Sequence, residues 1–228
     1  MDQITFIFDV MLPAFSNGLL MTLSLIAISA PIGFILGVTI ACGRVYGGKG
    51  LSWVMKLYTI FFRGCPLLLL LFILYFGLPS VGIVFTPFVA SVLGFILFNS
   101  AYNSEYVRGS IISVKEGQLI AAKALGMTKN QAIINIVLPQ ALRRSIPGIS
   151  NEFIYLIKYS SLAYMITLVE LTGASKLIAT KYFAYNETFF AVALVYLALV
   201  TVTTFGANAL EKKYAVKKKK KSENAWIN

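Results

Sequence analysis

The chain has 228 residues, of which 58% are hydrophobic and 13% are charged, with a formal net charge of +11 and a mean hydropathy of +0.78. Soluble domains are roughly 45–50% apolar and about 25% charged, so this composition excludes an ordinary soluble domain and indicates an integral membrane protein. The sequence has no histidine and only two cysteines, Cys42 and Cys65, which excludes a metal site built on His and Cys ligands.

Five apolar runs predict five membrane-spanning helices, because a span needs about 20 mostly apolar residues. In chain order, the predicted spans cover residues 18–42, 57–78, 85–104, 147–169 and 188–210. Asn17 is expected to cap the first span, and Pro31 and Gly33 are expected to kink it. The fourth span holds Glu152 and Lys158 and is expected to be broken. The predicted fold class is therefore an all-α integral membrane protein with about five transmembrane helices.

The lysine and arginine residues give the predicted orientation. Three lie between the first and second spans, six between the third and fourth, and seven after residue 210, so 16 of the 20 are on one side. The positive-inside rule places that side in the cytoplasm, with the N-terminus outside and the C-terminus inside. The tail KKKKKSENAWIN could bind nucleic acid, but an anchor beside anionic headgroups explains it. We therefore expect a lipid partner and no nucleic acid.

The segment EGQLIAAKALGMTKNQAIINIVLPQ is a polar, helix-prone stretch inside this apolar chain. Two spacings, Ser113 to Glu116 and Thr128 to Gln131, fit capping boxes, in which side chains satisfy the free N–H groups at a helix start. They predict one helix over residues 114–125 and a second from residue 129.

The ends of these two helices are also predicted. Gly126 supplies the left-handed residue that ends the first helix, and the second is expected to end near Val137, because Leu138 precedes Pro139. Helices this short are marginal in water and need a surface to pack on. Ala121 has a small side chain that allows close approach, but the residues alone leave two readings open, a loop folded on its own spans and a docking site.

A family resemblance bears on this choice. The spacing Ala-Ala-x3-Gly-x9-Ile-x-Leu-Pro resembles the EAA loop of ABC-importer permeases, in which a coupling helix sits in a cleft of a cytoplasmic ATPase. The family's glutamate is replaced by Ile120, which alters the polar detail of docking and keeps the helix–glycine–helix shape. The resemblance assigns ATPase coupling to Glu116, Gly117, Gln118, Ile120, Ala121, Ala122, Gly126, Ile136, Leu138 and Pro139.

Other motifs follow in register and are similar to the polar amino acid branch of that family. FRGCPLL resembles the branch's Phe-Arg-Gly-Thr-Pro-Leu-Leu with Cys65 in place of threonine, and SAYNSEYVRG resembles Ala-Tyr-x-x-Glu-x-x-Arg-Gly. KYSSLAYMI resembles a Lys-Asp-Thr-Ser-Leu stretch, with Tyr159 and Ser160 replacing Asp-Thr. The resemblance implies a type I ABC-importer permease fold in one transmembrane domain over residues 1–228. Its cytoplasmic loop would cover about residues 105–149 and its basic tail residues 211–228.

Ionisable groups within the spans are the candidate substrate path. Such groups cost at least about 2.5 kcal/mol at mid-membrane, so they normally face protein or water and have a partner. In RGCP, Gly64 and Pro66 are expected to break the helix and free backbone groups to line a cavity. The ionisable candidates are Arg63, Glu152, Lys158 and Glu170, and Ser160 and Ser161 are further, uncharged candidates. The alternative interpretation is structural, namely ion pairs between helices, snorkelling side chains and serines that serve helix packing.

The segment GRVYGGKG is a near-match to a nucleotide-binding P-loop. Its Lys49 is followed by Gly50 rather than by the Ser or Thr that would hold Mg²⁺, and only a short turn between spans surrounds it. We therefore expect a flexible basic loop and no cofactor in this chain, with ATP and magnesium bound by a separate ATPase.

The resulting functional prediction is a permease subunit that moves a polar amino acid across a bacterial cytoplasmic membrane by alternating access, with no covalent chemistry of its own. The resemblance implies cytoplasmic ABC ATPase subunits, a second permease chain, identical or related, and an extracytoplasmic amino-acid-binding protein as partners. The alternative is a passive channel or a membrane-assembly scaffold without an ATPase. The sequence does not select among basic, acidic and neutral amino acids.

Overall fold

The computed structural model describes residues 5–214 and is almost wholly helical, with no strand among these residues, which confirms the all-α prediction. The basic tail lies outside the described residues from residue 215 onward. The helices are α1 (Phe6–Tyr46), α2 (Lys49–Gly64), α3 (Leu67–Val81), α4 (Pro87–Ser113), α5 (Glu116–Ala124), α6 (Lys129–Ile166), α7 (Leu171–Tyr182) and α8 (Tyr185–Tyr214).

Several of these helices can cross a membrane. Within the described part, α1 and α8 are each long and apolar enough to do so. Two more crossings result if each bent pair counts as one span: α2 with α3, bent by 101°, and α6 with α7, bent by 51°. The predicted third span falls in α4, which has 27 residues and is outside this set. Membrane-spanning helices are therefore present, while their number stays a prediction.

The first span starts earlier than the sequence predicts. The helix runs from Phe6 to Tyr46, and Asn17 is an exposed residue within it, so the prediction that Asn17 caps a helix is wrong. No cap is needed there, because the preceding turns supply the hydrogen-bond partners that a helix start lacks. The helix also continues through Pro31.

The second predicted span is two helices rather than one. The predicted break is confirmed, since α2 ends at Gly64 and α3 begins at Leu67. Cys65 is extended, with φ −81° and ψ 126°, because the Pro66 ring disfavours helical backbone in the residue before it. The chain therefore turns sharply within the range that the sequence assigns to a single helix.

The second loop helix does not end near Val137 as predicted. It continues through a π-helical turn, Ile133–Val137, into an α-helical segment, Leu138–Tyr159. Pro139 is the second residue of that segment and directly follows the π-helical turn, and the helix continues through it with the loss of the one hydrogen bond that its missing N–H would donate. Pro147 likewise lies inside α6 and not at the start of a span.

The expected break in the fourth span is confirmed and lies at its far end. α6 changes to a 3-10 helix over Ser160–Ile166 and ends there, and the next residue, Thr167, has a φ of +67°. Glu170 then caps α7 through its side chain. Residues 147–166 of the fourth predicted span are thus helical, and the break falls in its last residues, where the chain turns into the shorter helix α7.

The most extensive helix packing among the described residues is between α1 and α4. Gly33 and Gly37 of α1 have no side chains, so the α4 backbone and its Asn99 and Asn103 side chains lie directly against them. Helices in a membrane gain little by moving apolar side chains out of lipid, so they associate through close van der Waals packing. Small residues allow that close packing. α4 also packs on α2, α3 and α6, which makes it the central helix of the fold.

A glycine substitution tests this contact. A Cβ atom at Gly37 would lie 2.7 Å from the Asn103 Cβ and 2.9 Å from the Ser100 carbonyl oxygen, whereas one at Gly109 of α4 would meet nothing within 4 Å. We expect Gly37→Ala to lower stability by about 1–3 kcal/mol through overpacking. Gly109→Ala should raise stability by up to about 1 kcal/mol through helix propensity. The measurement is the midpoint of thermal unfolding in detergent, and equal midpoints for the two variants would contradict the packing.

Candidate functional site

A buried polar cluster of Asn99, Asn103 and Glu152 lies where α4 faces α6. The Asn103 Nδ2 donates a hydrogen bond to the Asn99 Oδ1 at 2.7 Å, as residues four apart on one helix face can do. Glu152 is only 3% exposed, and the Asn99 side chain neighbours its carboxyl group. The Oδ1 of Asn103 and one carboxyl oxygen of Glu152 have no hydrogen-bond partner among the described residues.

A cavity of about 280 Å³ opens beside this cluster. Asn99 and Asn103 contribute to its wall, and Pro31, Phe34 and Phe153 supply apolar surface. The site thus combines apolar walls with a few convergent polar groups, which is the usual composition of a small-molecule site.

The unsatisfied carboxyl oxygen of Glu152 is the strongest chemical signal in this region. A carboxylate removed from water loses solvation that only a nearby cation or hydrogen-bond donor restores. No salt bridge reaches Glu152 in the described residues. A cationic group entering from outside the chain would therefore gain a strong, poorly solvated partner here.

Arg63 belongs to a different group, a charge cluster formed by Glu105 with three arginines. The Glu105 carboxylate pairs with Arg44, accepts hydrogen bonds from Arg108 at 2.7 and 2.9 Å, and lies 3.8 Å from an Arg63 nitrogen. The Arg63 guanidinium also lies 5.2 Å from the centre of the Tyr102 ring. The cluster joins the ends of α1 and α2 to α4, so Arg63 contributes to helix packing.

Lys158, Ser160 and Ser161 lie near the far end of α6. The ammonium of Lys158 is exposed and lies 5.5 Å from the Tyr155 ring centre, in cation–π range. The Ser160 hydroxyl donates to the Ile157 carbonyl at 2.7 Å, and Ser161 donates to the Lys158 carbonyl at 2.8 Å. Both hydroxyl groups are therefore donating within their own helix.

Glu170 is completely buried and satisfied by the fold. Its carboxylate accepts hydrogen bonds from the backbone N–H groups of Thr172 and Gly173, each at 2.9 Å, and from the Tyr196 hydroxyl at 2.9 Å. An acidic cap at a helix start satisfies free N–H groups and complements the helix dipole. The geometry therefore gives Glu170 a role in joining α7 to α8.

The structure does not bring the six predicted path residues into one site. It adds three that the prediction omitted, Asn99, Asn103 and Glu105, all of them on α4. A signal for the first two was present in the sequence, because two asparagines four residues apart in or beside an apolar span mark one polar helix face.

The polar loop forms a compact helix–turn–helix unit over residues 116–137, here called the loop unit. Gly126 has φ +82°, and the Met127 N–H donates to the Ala122 carbonyl at 3.1 Å, which closes the end of α5. The Thr128–Gln131 capping box is present, with hydrogen bonds of 2.9 and 3.3 Å. The predicted turn and second cap are confirmed.

The first predicted capping box is wrong. Ser113 is the last residue of α4, and its hydroxyl donates to the Ser110 carbonyl, so it does not cap α5. Arg144 of α6 also donates to the Ser113 carbonyl and, at 2.9 Å, to its hydroxyl oxygen. A residue 31 positions away thus fixes Ser113, which a local sequence pattern cannot reveal. α5 accordingly starts later than predicted, at Glu116.

The loop unit has an inward and an outward surface. Ala122 is buried against the chain itself, whereas Gln118 is exposed and its Oε1 accepts a hydrogen bond from the Gln140 amide at 3.3 Å. Ile120 and Leu125 are likewise 62% and 82% exposed. Of the other predicted residues, Glu116, Gly117, Ala121, Gly126 and Pro139 are exposed, while Ile136 and Leu138 are partly buried. Exposed leucine and isoleucine side chains on a capped polar loop form a candidate docking surface.

Comparisons with known proteins agree with this architecture. Residues 30–216 match the family described as binding-protein-dependent transport system inner membrane component. The chain is 40% identical over 203 residues to the probable amino-acid ABC transporter permease protein YckA of Bacillus subtilis (strain 168), covering 89% of this chain and 90% of that protein. It is 35% identical over 199 residues to the same organism's probable glutamine ABC transporter permease protein GlnM, covering 87% and 92%.

A solved structure is similar over nearly the same length. The crystal structure of an amino acid ABC transporter with histidines superimposes with a TM-score of 0.84 at 30% identity, covering 93% of this chain and 99% of that one. The family match covers far more than half of the sequence. The order of the helices also fits the motifs on which the family resemblance was based. The chain therefore belongs to the family of inner membrane components of binding-protein-dependent transport systems.

Proposed function

We propose that the chain is the permease subunit of an ATP-driven importer for a polar amino acid. Its family makes it a membrane transport component rather than an enzyme. The names of YckA and GlnM support an amino acid as the cargo, and they do not favour the alternative of a passive channel or scaffold. The structural observation that carries the proposal is the loop unit, which holds Leu125 at the tip of a capped turn with most of its side chain exposed.

The partners of this subunit follow from the same proposal. Members of the family work with ATPase subunits and a partner permease, and we assign ATP and magnesium to a cytoplasmic ABC ATPase that receives the loop unit. An extracytoplasmic binding protein delivers the amino acid. The charge distribution supports a bacterial cytoplasmic membrane with the N-terminus outside and the C-terminus inside.

Among the predicted path residues, we assign substrate contact to Glu152. Its unsatisfied carboxyl oxygen complements the α-ammonium group that every amino acid carries. The Asn99 side chain lies beside it, and Asn99 and Asn103 both line the neighbouring cavity, which leaves room for a small solute. Ser160, Ser161 and Glu170 are hydrogen-bonded within the fold, so they are weaker candidates.

Docking of the ATPase is tested by Leu125→Asp. The new carboxylate would enter a contact that is otherwise apolar, and we expect ATPase recovered with the tagged chain to fall about tenfold or more, the size of a hot-spot loss. Val84→Asp is the control, since Val84 is also exposed, at 77%, and lies between α3 and α4 on the predicted outer side. Recovery of ATPase is measured by immunoblot and ATP hydrolysis after purification in detergent. Undiminished recovery with Leu125→Asp, or no ATPase with wild type, contradicts the docking proposal.

Substrate contact is tested by Glu152→Gln. The amide keeps the shape of the side chain but removes its charge, so we expect amino acid uptake into proteoliposomes to fall about 10- to 100-fold, as for loss of a charge-assisted hydrogen bond. Thermal stability should be unchanged or higher, because a neutral amide is less costly to bury than a carboxylate that no salt bridge pairs. Glu187→Gln, at an exposed position of α8, is the control. Normal uptake by the Glu152 variant would exclude this carboxyl group as a substrate ligand.

A further inference from the structure

A second cavity, of about 620 Å³, lies between α1, α6 and α8, and is here called the lateral groove. Its walls are mostly apolar side chains, with Phe34 of α1 and Phe153 of α6 at one end. Arg143 of α6 and Tyr214 of α8 lie at the other end. The groove shares Phe34 and Phe153 with the cavity beside the buried polar cluster, whereas Arg143 and Tyr214 lie outside that cavity. The charged end of the groove therefore calls for a separate explanation.

The length of the groove corresponds to one leaflet of a bilayer. Arg143 and Phe153 are ten residues apart on α6, or about 15 Å along a helix. The hydrocarbon core of a bilayer is about 30 Å thick, so this distance is about half of it. A groove with this length and lining accommodates an acyl chain that enters from one membrane surface.

The charged end of the groove has no internal partner. Arg143 forms no ion pair or side-chain hydrogen bond with any described residue, whereas the adjacent Arg144 is bound to Ser113. Lys212 and Lys213 are exposed near the end of α8, where they outnumber the adjacent, partly buried Glu211, and no acidic side chain lines the groove in the described part of the chain. The end of the groove is therefore basic and the remainder apolar.

We propose that the lateral groove binds an anionic phospholipid of the cytoplasmic leaflet. The phosphate contacts Arg143 and an acyl chain lies along α6 and α8 towards Phe153. Basic pockets between membrane helices on the cytoplasmic side bind anionic headgroups through the same combination of charge and apolar surface. The leaflet assignment rests on the proposed orientation, while the site itself does not depend on the transported amino acid.

Charge complementarity favours a lipid over a helix of a second permease chain. A helix packed into the groove would cover Arg143 and would have to supply an acidic side chain at its level, because an unpaired buried cation is unfavourable. An anionic lipid supplies both the negative charge and the flexible apolar chain. The helix remains the competing occupant, and the experiment below distinguishes it from a lipid.

Two substitutions test the headgroup contact and the acyl-chain contact separately, and two more serve as controls. Arg143→Gln removes the charge, and Gly206→Leu fills the groove, since Gly206 lines it and a Cβ there would meet no atom within 4 Å. Arg143→Lys keeps the charge, and Lys56→Gln removes the same charge from an exposed position of α2 outside the groove. Size-exclusion chromatography and thermal unfolding verify that each full-length variant is folded.

The measurement is native mass spectrometry of the purified full chain, with any copurifying subunits, titrated with phosphatidylglycerol or phosphatidylcholine. We expect wild type, Arg143→Lys and Lys56→Gln to prefer phosphatidylglycerol. Arg143→Gln should lower that preference about fivefold, as expected for one basic residue near an anionic surface. Gly206→Leu should reduce binding of both lipids.

Two results would overturn the proposal. One is lipid binding by Arg143→Gln and Gly206→Leu that equals wild type, since the groove would then not be the site. The other is a Gly206→Leu variant that loses its second permease chain while its lipid binding is unchanged, which would identify the groove as a subunit interface.

Discussion

The close contact between α1 and α4 is the constraint on which the rest of the fold depends. Gly33 and Gly37 have no side chains, so α4 packs directly against the α1 backbone. The side chains of Asn99 and Asn103 fill the contact. The same contact therefore packs the helices and holds two amide groups inside an apolar protein. A change in the register of α1 on α4 would displace these amides and, farther along α4, the carboxylate of Glu105 that joins α1 to α2.

Features set by neighbouring residues could be predicted from the sequence, and features set by distant residues could not. The left-handed Gly126, the Thr128 cap and the break before Pro66 depend on backbone chemistry within a few positions, and the structure contains all three. The cap assigned to Ser113 is absent because Arg144 and the continuation of α4 determine its contacts.

The candidate site shows the same division. Intramembrane charge predicted Glu152 and Glu170 equally well, yet one is left with an unsatisfied oxygen and the other receives three hydrogen bonds of 2.9 Å. The difference arises from Tyr196, which is 26 residues from Glu170 in the sequence, and from the N–H groups at the start of α7. Charge within a span therefore identifies residues that need a partner, and only the fold shows whether the chain provides one.

A single helix connects the loop unit to the buried carboxylate. α6 starts beside the Thr128 cap and carries Glu152 farther along the same helix, 23 residues or about 35 Å after Lys129. Gly148 packs directly on the Tyr106 side chain of α4, so α6 has little freedom to slide at that level. The π-helical turn Ile133–Val137 and the turn at Thr167 lie on either side of this tight contact. We therefore expect a displacement of the loop unit to reach Glu152 through a tilt of α6 about the Gly148 contact, because the helix is continuous between them.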